Sequence, residues 1–127
     1  SGVRRRMKIG GISTFVAALR SARAVGQASR LQARGDLSAA RSTALTGLEA
    51  LRGSRVVRQA PHVASALAAL TLIAEESRVA GERGASLEDL TDSLAFLRSV
   101  QGEAEPELCS GIPFLERRLR ERSRGTG

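Results

Sequence analysis

The sequence predicts an all-α domain: two antiparallel helical hairpins, four main helices plus a short C-terminal helix, arranged as a bundle or a stack of hairpins. Three observations point there. Apolar residues recur at three- and four-residue spacing in the long segments, which is the period of a helix face and not of a strand. Gly or Pro stands at each boundary between those segments. The core must also be built almost without rings, because the chain has three Phe and neither Trp nor Tyr. Leu, Ala, Val and Ile fill closely approaching helices better than a sandwich that leans on aromatic residues. At 127 residues, the chain is the usual size of one domain and can bury roughly two-thirds of its unfolded surface. Residues 1–127 are therefore expected to form a single domain without metal or disulfide.

The elements follow in order. Residues 1–12 read as a basic N-terminal arm. Ser13 is placed to cap a first helix through Phe15, Leu19, Ala22, Val25 and Leu31, ending at Gly35, a residue suited to the left-handed position past a helix end. Asp36 is a natural N-cap for a second helix with Leu37, Ala40, Ala44, Leu48 and Leu51 on one face, closed by Gly53. Pro61 opens a third helix, apolar nearly all round through Ala74, which marks a helix surrounded by others. Ser86-Leu87-Glu88-Asp89 has the form of a capping box with Asp in place of Glu, and Leu87, Leu90, Leu94, Leu97 and Val100 continue the stripe of a fourth helix to Gly102. After the loop GEAEPE, Ile112, Leu115 and Leu119 give a short fifth helix an inner face and leave its arginines to water; residues 123–127 are a frayed tail.

An internal match supports the pairing into hairpins. RGDLSAARSTALTGLEALRG (34–53) aligns without a gap on RGASLEDLTDSLAFLRSVQG (83–102), and each copy follows a long helix. Within the first hairpin, Ala28, Leu31, Gly35-Asp36-Leu37, Ala40 and Ala44 resemble the small-residue core and Gly-Asp turn of a tetratricopeptide motif, over residues 24–53. The sequence departs from that family at Ala24, where a large aromatic is expected, at Arg52, where a Pro closes the motif, and in the 49-residue offset between its hairpins. The resemblance implies a helical hairpin presenting a concave face to peptides or partner proteins.

Charge is segregated. Residues 1–60 hold twelve Lys and Arg against two acids, residues 75–107 hold nine acids against three Arg, and residues 117–124 hold five Arg, within a net charge of +7. Such a layout produces a directed field that steers an anionic partner or lets one copy's basic face meet another's acidic face. On a helix wheel Arg20, Arg23, Gln27, Arg30 and Arg34 share an arc of roughly 80°, with no acid between them. These five are the candidate binding residues: a row of four fixed guanidinium forks, with the Gln27 amide among them, suited to phosphates or carboxylates. The expected function is a non-catalytic protein-interaction or adaptor module using this row or the groove between hairpins. The alternative is binding of nucleic acid or another polyanion through the same row, and the third reading is charge-driven self-association. Nucleic-acid binding lacks the usual companions, an aromatic stacking platform, zinc-finger spacing or a helix-turn-helix.

Catalysis is not expected. His62 stands alone at a helix start, and Cys109 lies near Glu105 and Glu107, whose charges disfavour a thiolate. Glu75, Glu76, Glu82, Glu88, Asp89 and Asp92 have no histidine partner and read as a solvated acidic face. No glycine-rich phosphate loop follows a strand, and no cofactor or metal is called for. One cysteine allows no internal disulfide and fits a reducing, cytoplasmic setting. No apolar run approaches the roughly 20 residues of a membrane span. VRRRMK followed by IGGISTFVAAL imitates a targeting segment, but Arg20 and Arg23 interrupt its cleavage region.

Overall fold

A computed structural model of the chain describes the backbone of residues 2–103 and 105–125, and side chains among them from residue 13 onward. The described residues are all-helical, with no strand. In order, the elements are α1 (Gly2–Ala33), α2 (Leu37–Ala50), α3 (Arg55–Gln59), α4 (Pro61–Glu76), α5 (Leu87–Val100), α6 (Pro106–Cys109) and α7 (Ile112–Ser123).

The turn between α1 and α2 is built by two adjacent residues. Gly35 adopts φ 81°, and the Gly35 and Asp36 amides donate to the carbonyls of Gln32 and Leu31 at 3.0 and 2.9 Å, the paired bonds that close a helix on a left-handed glycine. The Asp36 carboxylate then accepts from the Ala39 amide and starts α2. Ala28, Ala40 and Ala44 are fully buried where the helices pack. Gly47 sits at a close three-helix approach. A Cβ there would lie 3.0 Å from both the Ala24 Cβ and Leu70 Cδ1.

Helix α4 is central. It packs against α1, α2 and α5, and eleven of its residues, from Val63 to Glu75, are buried. Helix α5 is started by a complete capping box, Ser86 accepting from the Asp89 amide and Asp89 accepting from the Ser86 amide. It packs on α4 and on α7 and only sparsely on the first hairpin. The order is therefore a stack, α1–α2, then α4, then α5, then α7, and not a closed ring of four helices.

Several elements differ from the sequence reading. The first helix begins at Gly2, so the backbone of the expected arm continues α1 and Ser13 is interior to it. No Pro interrupts this stretch, and Gly10 and Gly11, at about 1 kcal/mol each relative to Ala, do not end a helix that the core already anchors. Helix α3, capped by Ser54 accepting from the Val57 amide, occupies a stretch without an expected element. Phe15 and Leu19 are 65% and 57% exposed, and Leu37 and Leu87 are exposed as well. The apolar spacing of α1 thus marks its outer face as well as its core face. Helix α7 runs through Ser123; of the expected tail, Thr126 and Gly127 lie outside the described residues.

Two acids expected at the surface are buried, Glu75 with no exposure and Asp89 at 1%. Their phase explains it. Glu75 follows Leu67 and Thr71 by eight and four residues on the inner face of α4, and Asp89 precedes Ser93 and Leu97 by four and eight on α5. The arginines of α7 do not all face water either. Arg122 Nη2 donates to both Glu75 oxygens at 2.8 and 2.9 Å, while Arg78 and Arg118 approach the same carboxylate at 3.6 Å. The Ala85 amide adds a bond at 2.8 Å.

Candidate functional site

Arg20, Arg23, Gln27, Arg30 and Arg34 fall on or at the end of one uninterrupted helix, and all five side chains are exposed. Spaced by three and four residues, they form a row along α1 that rises about 5 Å per turn. Among the described residues, none of the four arginines meets a carboxylate. From Arg41 to Arg98 the pattern is the opposite, and every arginine has an acidic partner. Arg41 pairs with Glu82, Arg52 with Glu49, Arg55 with Glu88, Arg83 with Glu49 and Arg98 with Glu116. Arg78 belongs to the Glu75 cluster.

Arg58 is the buried extreme of that pattern. Its guanidinium donates to Asp89 Oδ1 at 2.9 Å and to Asp92 Oδ2 at 3.0 Å, pinning α3 to the first turns of α5. Burial works against its charge, but the hydrogen bonds and charges of the two aspartates outweigh it and raise its pKa above the ordinary value. The acidic block is therefore largely consumed by the chain's own arginines. Among the described acids only Glu103 and Glu107 have no partner within the chain.

The row borders a hollow. A cleft of about 390 Å³ opens between α1 and the α2–α3 corner, walled by Val16, Ala17, Gly47, Ala50, Leu51 and Val57, with Ser13, Ser21 and Ser54 at its edges and Arg20 and Arg52 as its charged groups. It adjoins a second hollow of about 380 Å³ along the α1–α2 seam, which shares Arg20, Gly47 and Ala50 and adds Gln27, Thr43 and Thr46. No carboxylate lines either one. Arg20 thus lines both hollows and Gln27 the second; the first is walled mainly by apolar side chains and the second also by Ser42, Thr43 and Thr46, while Arg23, Arg30 and Arg34 extend the row outside them. The groove expected between the hairpins is instead found within the first of them, where α2 and α3 meet α1, a place that a single-helix wheel does not show.

The remaining candidates gather no chemistry. His62 is exposed, and the Cys109 thiol is half-buried, 3.6 Å from the Leu97 carbonyl oxygen. Among the described residues no three His, Cys, Asp or Glu side chains stand close enough to hold a metal ion, and no helix is long and apolar enough to cross a membrane. Compared with known proteins, the chain matches no family model, no curated protein and no solved structure. The tetratricopeptide resemblance of residues 24–53 accordingly rests on the Gly35-Asp36 turn and the small residues beside it.

Proposed function

We propose that this protein is a non-catalytic interaction module, an adaptor that docks a partner protein with an acidic surface through the arginine row of α1. One observation carries the reading: the arginines from 41 to 98 are all paired, whereas Arg20, Arg23, Arg30 and Arg34 stand exposed with no carboxylate. A helix that needs only to be soluble mixes signs along its face, and α1 carries no acid at all. The groove beside the row adds apolar area to the charged contacts, the combination of core and rim found in protein interfaces.

Binding of a nucleic acid draws on the same row, since arginine forks suit phosphates. It is the second reading because a row of this kind positions a backbone without reading bases, and Phe15 is the one large exposed ring on the described part of α1. Charge-driven self-association has less support, because most described acids already serve the chain's own arginines.

The test is affinity capture from an extract of the source cells, with the wild-type chain and with a variant carrying Gln at positions 20, 23, 30 and 34. The expected result is a protein retained by the wild type in defined stoichiometry, unaffected by nuclease and lost with the variant. Nuclease-sensitive material would shift the assignment to the second reading, and full capture by the variant would refute both.

A further inference from the structure

Resting on the acidic-partner reading, we infer that the segment seated on α1 is itself an α-helix, amphipathic and acidic, lying along the α1–α2 groove. The argument is one of spacing. Arg20, Arg23, Arg30 and Arg34 lie at helical intervals over about four turns, so they match a row of carboxylates repeating at the same three- and four-residue intervals on a second helix. A single anionic headgroup engages one such fork and leaves the others unpaired. An extended strand, rising about 3.3 Å per residue with alternate side chains turned away, falls out of step with the row.

The groove supplies the other half of the recognition. The cleft at its α3 end is walled mainly by apolar side chains, and a helix laid beside the row turns its own apolar side chains toward Ala17, Ala50 and Val57, where the 390 Å³ cleft receives them. Helix-in-groove docking of this kind is read as anchors at i, i+3, i+4 and i+7. The absence of any carboxylate from the lining favours an acidic ligand and disfavours a basic one. A second copy of this chain does not fit the description. Its acidic helix α5 has Glu88, Asp89 and Asp92 already engaged by Arg55 and Arg58.

The experiment uses a fluorescein-labelled peptide of about 15 residues with Leu at the anchor spacing and Glu elsewhere, titrated into the full chain by anisotropy. Two comparison peptides replace Glu with Lys, or the central Leu with Pro. The protein variants are Ala50→Trp, which plugs the groove from an exposed position, Thr46→Trp, an independent exposed plug should the first fail to fold, and the fourfold Arg→Gln variant. Binding of the Leu/Glu peptide is expected, weakened at least tenfold by either plug, by the fourfold change, by Lys and by Pro. Absence of binding, or equal binding of the Lys or Pro peptide, overturns the inference. So does wild-type affinity in a folded plug variant; if the fourfold variant still loses the peptide, that outcome removes the groove and leaves the arginine row standing as a docking face. Loss in the plugs with full binding in the fourfold variant removes the row itself, and with it the acidic-partner reading. Tighter association with anionic vesicles that the peptide does not compete for assigns the row to a lipid surface and also overturns the inference.

Discussion

Gly84 has no room for a side chain. A Cβ placed there would overlap Glu75 Oε2 and Arg122 Nη2, so any larger residue in the loop after α4 must displace the buried ion pair beneath it. Its backbone is not in the left-handed region, so the constraint is space and not conformation. Gly84→Ala is expected to push the Glu75–Arg122 pair apart and cost about 1–3 kcal/mol, as overpacking does. Denaturant melts against Ser29→Ala, an exposed change expected to stay within about 0.5 kcal/mol, measure it. Glu75→Ala should cost more, about 3–5 kcal/mol, because Arg78, Arg118 and Arg122 would keep their charges around an emptied site. A Glu75→Ala chain as stable as the wild type would mean that this cluster contributes nothing to the fold.

At the scale of elements, the leucines on the faces toward α4 carry the packing. Leu48 and Leu94 are about 1% exposed, on α2 and α5 respectively. Leu94→Ala or Leu48→Ala should each destabilise by about 2–5 kcal/mol. Leu37→Ala, on the same apparent stripe but 44% exposed, should cost a fraction of that. Helix α3 gives a third case. Arg58→Met leaves Asp89 and Asp92 without their main partner and should cost about 3–5 kcal/mol, with the loss concentrated in amide protection at the start of α5. These cases mark how much of the fold was legible. The four long helices, the Gly35-Asp36 turn and the Ser86 capping box follow from spacing and cap chemistry. Helix α3 does not, because five residues are too few to show a period and two of them are β-branched. The inward turn of Glu75 and Asp89 is visible in their phase, yet an acid on an inner face is ordinarily the wrong choice, and only partners brought from α3 and α7 make it the right one. The arginine row was legible for the same reason as the long helices. Its groove was not, since it belongs to a contact between elements.

For the whole molecule, circular dichroism should show a strongly helical spectrum without strand, and the fourfold Arg→Gln variant should keep both that spectrum and the wild-type melt. The reason is that the row makes no ion pair whose loss could be felt. A melt lowered by several degrees would reveal contacts holding the row in place. Charge is also unevenly divided along the chain. The first 35 residues contain eight cationic residues and no acid, while the remaining chain has twelve against thirteen. The rest of the chain therefore sums to −1, the five Arg of residues 117–124 included, and the net charge of +7 comes from the +8 of α1 and the turn that ends it. A nearly neutral body with one charged rod has a large dipole moment, and a dipole in the field of an anionic object experiences a torque as well as a pull. The molecule therefore turns before it touches: α1 leads, and the rest of the stack trails behind it on the side away from whatever it meets.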